Sequence, residues 1–328
     1  RRQRQMCIRD RYNPEEELLP LPKGFTDKDN SEILIHLLKG RILYTTSGWF
    51  VWDGKRWVRD PEDSSVVALA SEKLTNFYLQ RAERTKGEEK EQFIKYALKS
   101  RSLTHIKNTL PFLKSRLKTN LSSFDPEEHY FLLNTPSGVV NLKTGELLPP
   151  NPRFMFTKIT TASYNPEATC PTFNQFLEQI FPDPELKEFV LDLLGYCLIG
   201  GNPLRLFVVF YGEGANGKST LSEVVKFCLG SYATEINPNT FMLKKTQLPG
   251  APRPDLAKLP GVRLVFASET HQAHRLDEPF IKMLTGRDEI VARHLYGKNE
   301  FTFRPQFTPI LKTNFKPLAR GEDKAFWD

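Results

Sequence analysis

One stretch constrains the fold more than any other: Leu204 to Gly230, LRLFVVFYGEGANGKSTLSEVVKFCLG. The apolar, β-branched and aromatic run from Leu206 to Tyr211 predicts a fully buried strand. A glycine-rich turn follows, then an amphipathic helix that stops at Gly230. The turn, Gly212 to Ser219, fits G-x-x-x-x-G-K-[ST] in the strand–turn–helix setting that the pattern requires. Gly212, Gly214 and Gly217 let successive backbone N–H groups curl around phosphate oxygens without side-chain clash. Glu213, Ala215, Asn216 and Thr220 belong to the same N–H-lined segment. The helix N-terminus adds the positive end of its dipole, Lys218 reaches the β- and γ-phosphates, and the Ser219 hydroxyl can ligate Mg²⁺. The alternative is an ordinary glycine turn before a helix. With strand, glycines, Lys-Ser pair and helix all in place, the expected ligand is a nucleoside triphosphate with Mg²⁺.

The chain has 328 residues, enough for two domains, and an ordinary globular composition. No apolar run is long enough to span a bilayer, and no secretory signal pattern opens the sequence. Four cysteines without a C-x-x-C pairing suggest neither a zinc site nor a disulfide framework. The expected location is a reducing cytoplasm. The net charge of +7 invites a nucleic-acid reading. However, Arg1 to Arg11, RRQRQMCIRDR, resembles the in-frame translation of a transposase sequencing-library adapter. Its five arginines and one aspartate contribute +4, leaving +3 for the remainder. The other reading is a basic arm for nucleic acid. We favour the adapter and exclude the segment from fold reasoning; Cys7 then carries no information, and the protein is expected to extend upstream of Tyr12.

Taken in order, the chain next predicts a short helix from Thr26, with Ile33, Leu34, Leu37 and Leu38 on one face. GWFVWDGKRWVRD, Gly48 to Asp60, reads as a hairpin around Asp53-Gly54, whose two positions would both need positive φ. Trp49, Trp52 and Trp57 suit core packing better than base stacking. A helical stretch spans Ser64 to about Leu121, with Val67, Ala70, Leu74 and Tyr78 at helical spacing. Gly87 and the EEKE run are expected to break it, and Pro111 to end or start a helix. Lys107, Lys114, Arg116 and Lys118 look more like a solvated face than a binding patch. FLLNTPSGVVNLKTGELLP reads as short strands, and Pro149, Pro150 and Pro152 punctuate the connection beyond them. FNQFLEQIF and ELKEFVLDLLGYCLI read as two amphipathic helices.

Downstream residues complete the site. Arg263 to Thr270, RLVFASET, is a second buried strand, and Glu269 at its end could polarise an attacking water. The alternative is an incidental glutamate after a strand. A helix ends near Thr285-Gly286. A hairpin follows, Ile290 to Tyr296 and Phe301 to Phe303, with Gly297-Lys298-Asn299 at its tip. A third buried strand, Thr308 to Leu311, leads to Asn314, where a γ-phosphate or water could be sensed.

The order GEGANGKST, RLVFASET, IKMLTGRDEIVARHLY, PILKTNFKPL resembles the superfamily 3 helicases. It is most similar to the phage, plasmid and poxvirus-type primase-helicases. WDGKRW, LNTPSGVVNLKTGEL and LLGYCLIGGNPLR resemble that family's helicase-associated N-terminal domain, so the likeness covers the chain after the adapter. The resemblance implies an α/β fold. An AAA+-type P-loop NTPase core (166–328, truncated at its C-terminus) would follow a mixed, mainly helical N-terminal domain (12–165). It implies an ATP-dependent DNA helicase that works as a ring, usually a hexamer, hydrolysing ATP at subunit interfaces to move along single-stranded or forked DNA. A primase domain could precede in the same chain, and the setting would be a host-cell cytoplasm or viral replication site. Lys218 and Ser219 would bind phosphate and Mg²⁺, Glu269 would be the catalytic carboxylate and a metal ligand through water, and Asn314 the sensor. Lys298 would face DNA in the central channel. Ser268 departs from the pattern, since many AAA+ relatives carry a second acid there. The family's arginine finger follows a segment resembling PLARGEDKAFWD, beyond Asp328, and Arg320 suits a structural or sensor role. Two other readings remain: a P-loop NTPase that does not unwind, and a nucleotide-binding fragment without turnover.

Overall fold

The computed structural model describes residues 25–243, 253–269, 275–293 and 300–318. The chain divides into two compact units. One comprises residues through Asp53 together with Val58–Leu121; the other comprises Gly54–Trp57 and the residues from Ser122 onward. The expected functional boundary between Asn165 and Pro166 falls inside the second unit.

Among the described residues, the first unit opens with helix α1 (Asp27–Leu37). Thr26 Oγ1 accepts from the Asp29 N–H at 3.2 Å, and the Asp29 carboxylate accepts from the Thr26 N–H at 2.9 Å. This reciprocal cap satisfies two orphan donors and is worth about 1 kcal/mol. Strands β1 (Ile42–Thr45), β2 (Gly48–Trp52) and β3 (Trp57–Asp60) form a three-stranded sheet in that order. The expected hairpin around Asp53-Gly54 forms, but only Gly54 has positive φ, so it is not a two-residue turn. The extra residues have partners of their own: Lys55 Nζ donates to Pro136 O at 2.8 Å, and Arg56 to Ser231 Oγ at 3.3 Å. Trp49 and Trp57 are buried, as core packing requires, whereas Trp52 is half-buried.

Helices α2 (Ser64–Arg84), α3 (Gly87–Lys99) and α4 (Leu103–Arg116) are the other helices described in this unit. The expected break at Gly87 forms, over Thr85 and Lys86, whereas the EEKE run and Pro111 do not break a helix. Gly87 opens α3, and Glu88 and Glu89 lie in its first turn, where the helix dipole favours acids. Pro111 sits inside α4. Its ring faces solvent, while Ile106, Leu110 and Leu113 are buried on the other side and hold the helix across it. Apolar contacts at helical spacing form one core of Ile33, Leu34, Leu74, Tyr78, Phe93 and their neighbours.

The second unit begins with an antiparallel meander: β4 (Leu132–Thr135), β5 (Gly138–Asn141) and β6 (Leu147–Leu148). Helices α5 (Pro171–Ile180) and α6 (Pro184–Tyr196) follow, then β7 (Val208–Tyr211), α7 (Lys218–Leu229) and β8 (Ala233–Ile236). After these come α8 (Pro254–Ala257), β9 (Leu264–Glu269) and α9 (Glu278–Thr285). The strands β10 (Ile290–Ala292) and β11 (Phe301–Phe303) pair antiparallel, and β12 (Thr308–Thr313) ends the described fold.

Strands β7, β12, β9 and β8 form a parallel sheet in that order. This mixed α/β architecture agrees with the sequence at the level of class. Alternate residues of the central strands serve opposite cores. Leu264, Phe266 and Ile310 join one cluster, and Val265, Ala267 and Leu311 the other. Every residue of β12 is buried. β7 corrects the sequence expectation of full burial: it lies at the sheet's edge with β12 as its neighbour, so Val208 to Phe210 are half-buried and Tyr211 is exposed. The apolar run recorded strand propensity and could not reveal which strands lie on its two sides.

Ile310→Ala should destabilise this sheet by about 2–5 kcal/mol, because it empties a fully buried site between β7 and β9. Urea denaturation measures it, and a loss under about 1 kcal/mol would contradict the packing described.

Candidate functional site

The carboxyl ends of three parallel strands are level. Thr313 pairs in register with Tyr211 on one side and with Glu269 on the other. The residues that follow therefore emerge at one edge of the sheet: Gly212 after β7, and Asn314 after β12. The Gly212 N–H donates to the Thr313 carbonyl at 3.3 Å and ties the loop's first residue to β12. Glu269, the last residue of β9, shares this edge by backbone position.

The loop from Gly212 to Gly217 turns directly into α7, whose first residue is Lys218. Gly217 caps that helix with φ +84° and no side-chain acceptor. A Cβ on Gly217 would approach Ile180 Cγ2 to 2.5 Å, and one on Gly212 would approach Asn216 Nδ2 to 2.5 Å. These two positions need glycine. Gly214 differs from the sequence expectation: nothing lies within 4 Å of its virtual Cβ, and the positive φ nearby, +61°, belongs to Ala215. The pattern of glycines marks the loop without assigning each glycine its reason.

Lys218 Nζ folds back into the loop. It donates to the carbonyls of Gly212 (2.6 Å) and Glu213 (3.0 Å) and to Asn216 Oδ1 (2.9 Å). Desolvation lowers its pKa. Around the loop lies a cleft of about 530 Å³. Gly214 to Thr220 form one wall, Asn314 another, and Phe176, Gln179 and Ile180 of α5 a third. The structure thus brings together the loop, Lys218, Ser219 and Asn314. Lys298 and Arg320 lie outside the described residues.

A polar cluster braces the sheet beside this edge. Lys312 Nζ, buried, donates to Ser222 Oγ of α7 at 2.8 Å, and Ser222 Oγ in turn donates to the Ser219 carbonyl at 2.8 Å. Glu235 of β8 accepts from Ser268 Oγ at 2.8 Å and from Lys226 Nζ at 2.7 Å, and lies 3.4 Å from Lys312 Nζ. Burial pushes the Glu235 carboxyl up, but the hydrogen bonds from Lys226 and Ser268 and the two ammonium charges win, holding it at about 2. Beside Ser268, a carboxylate from the neighbouring strand is therefore present but committed to two cations. Among the described residues no group of three or more His, Cys, Asp or Glu could hold a metal. A Mg²⁺ ion here would take its oxygens from Ser219, water and the phosphates themselves, as this hard, well-hydrated cation commonly does.

Sequence reasoning did not single out Phe176, Gln179, Ile180, Glu235 or Lys312. A lysine inside the apolar run of β12 was the one available signal; it implies a buried partner, whose identity only the fold supplies.

Residues 31–182 match the family model described as D5 N terminal like. The chain is 29% identical over 297 residues to "Putative helicase L207/L206" of Acanthamoeba polyphaga mimivirus, covering 85% of this chain and 31% of that protein. It is 30% identical over 156 residues to "Putative helicase 022R" of Frog virus 3, covering 47% of this chain and 16% of that protein. A "Putative primase" of African swine fever virus is 23% identical, over 65% of this chain and 22% of that protein. The chain thus spans about a third or less of these relatives. Among solved structures, the apo NrS-1 C terminal region superposes with a TM-score of 0.49 at 12% identity, covering 88% of this chain and 56% of that one. The family match and the viral relatives support a relationship to the D5-like primase-helicases of large DNA viruses. No helix among the described residues is long and apolar enough to cross a membrane.

Two outcomes test this geometry. Gly217→Ala should destabilise the chain by about 1–3 kcal/mol through strained φ and the Ile180 clash, whereas Gly214→Ala should stay within about 0.5 kcal/mol. Equal effects in urea denaturation would refute the assignment. The depressed carboxyl of Glu235 contributes stability that is present above its ordinary value of 4.5 and is lost as pH falls toward about 2. Glu235→Gln should therefore remove part of the stability loss between those values. An unchanged acid profile would contradict the pairing.

Proposed function

We propose that this chain is the ATP-hydrolysing motor segment of a DNA-replication primase-helicase. The observation that carries the reading is the cleft at the carboxyl ends of the parallel sheet, where the loop, Lys218, Ser219 and Asn314 converge. Relatives named as helicases and primases support the same conclusion.

In this reading Gly212 to Gly217 form a P-loop, and the core it serves is of the AAA+ type, within residues 166–328. Its backbone N–H groups and the N-terminus of α7 surround the triphosphate. Lys218 leaves its loop carbonyls for the β- and γ-phosphate oxygens, a stronger, charge-assisted set of acceptors. The Ser219 hydroxyl would help to hold a Mg²⁺ ion, which would supply charge neutralisation at the phosphates. Glu269 orients and deprotonates the attacking water, and Asn314 contacts the γ-phosphate or that water. Because Tyr211, Thr313 and Glu269 are in one register, a shift of β12 would move the sensor and the loop's anchor relative to the base.

The complete protein would act as a homohexameric ring on single-stranded or forked DNA, with ATP at its subunit interfaces and a primase domain upstream. The β10–β11 hairpin would point into the channel, with Lys298 contacting phosphate rather than base edges. Residues 12–165 would be the helicase-associated domain. The host-cell cytoplasm or a viral replication site would be its setting.

Lys218→Ala should abolish triphosphate binding, while Glu269→Gln should leave binding intact and reduce hydrolysis by about 10²-fold or more. Titration calorimetry and phosphate release in a chain extended to full length measure these, with forked-duplex unwinding as the functional assay. Undiminished hydrolysis by the Glu269 variant would show that another group is the base. Hydrolysis without strand displacement would select the non-unwinding NTPase instead.

A further inference from the structure

The phosphate loop explains how a triphosphate tail is held and leaves open what holds the nucleoside. The third wall of the cleft answers that. Phe176 and Ile180 lie one turn apart on α5, roughly 6 Å along its axis, and so share a face. Both line the cleft, and Ile180 packs against Gly217, the last residue of the loop. Phe176 is half-buried, and its ring stacks on that of Phe173 with centroids 6.1 Å apart. Gln179, between them in sequence, is exposed in the same wall. Its side-chain amide has no hydrogen-bond partner among the described residues.

We propose that α5 is the base subsite, resting on the reading of the loop as a triphosphate site. With the phosphates in the loop, the sugar passes Ile180 and a purine lies against the Phe176 ring, while the Gln179 amide reads the base edge. The aromatic surface favours a purine because the larger ring system covers more of it. The amide then selects between purines. It presents one donor and one acceptor side by side, which complements the N6 donor and N7 acceptor of adenine. Guanine offers two acceptors at the same edge, O6 and N7, so the amide carbonyl would face a lone pair. The substrate class is thus an adenine nucleoside triphosphate.

The test compares Mg²⁺ complexes of ATP, GTP and inorganic tripolyphosphate by titration calorimetry on this chain. Tripolyphosphate engages the loop without a base. Phe176→Leu, which preserves apolar packing, should weaken ATP about tenfold and leave tripolyphosphate unchanged. Gln179→Ala, at an exposed position, should bring the ATP-to-GTP preference down by about tenfold, toward unity, again with tripolyphosphate unaltered. ATP binding unchanged in the leucine variant, or an unchanged ATP-to-GTP ratio in the alanine variant, would overturn the subsite. Parallel weakening of tripolyphosphate would also overturn it, since the residues would then support only the loop. A parent chain that binds neither ATP nor tripolyphosphate would instead refute the triphosphate reading itself.

Discussion

The parallel pairing of β12 between β7 and β9 is the constraint on which the remainder of this site depends. Its register levels Tyr211, Thr313 and Glu269 at one edge. Every residue of β12 is buried, with Ile310 facing one core and Leu311 the other. A slip of one residue would exchange those faces and move Asn314 away from the loop. The cleft is therefore positioned by apolar packing some distance beneath it, and its polar residues inherit a placement they do not themselves determine.

Lys312 is the exception, a charge placed inside that packing. Its ammonium meets Ser222 on α7 and lies within salt-bridge distance of Glu235 on β8, and Ser222 continues to the Ser219 carbonyl. The arrangement connects the central strand, the edge strand and the first turn of the loop's helix. A buried ion pair seldom adds net stability over apolar residues of similar size, but removing one partner strands the other. Its value here lies in direction: hydrogen bonds fix how α7 is rotated over the sheet, which apolar contacts alone fix less sharply.

Much of this was legible in the sequence. The strand, loop and helix around Gly212 to Gly230, the strand ending at Glu269 and the strand leading to Asn314 are local patterns, set by apolar periodicity and glycine, and they appear where expected. What failed was non-local. Pro111 stays within α4 because buried neighbours hold the helix across it, and β7 is half-exposed because sheet order, not composition, decides which strand is at the edge. The glycine pattern identified the loop but misattributed Gly214, whose neighbourhood is open. Phe176 and Gln179 carried only an amphipathic helical pattern. Their presence beside the loop depends on α5 folding back against Gly217, which the linear sequence does not encode in any short spacing.

The central claim is that the loop and Lys218 take up a triphosphate in this cleft, and amide hydrogen exchange with and without a non-hydrolysable Mg²⁺–ATP analogue tests it most directly. The account predicts slowed exchange concentrated in residues 212–220, with a second protected segment in α5 and little change in the first unit. Protection elsewhere with none at residues 212–220, or no protection at saturating analogue, would contradict it.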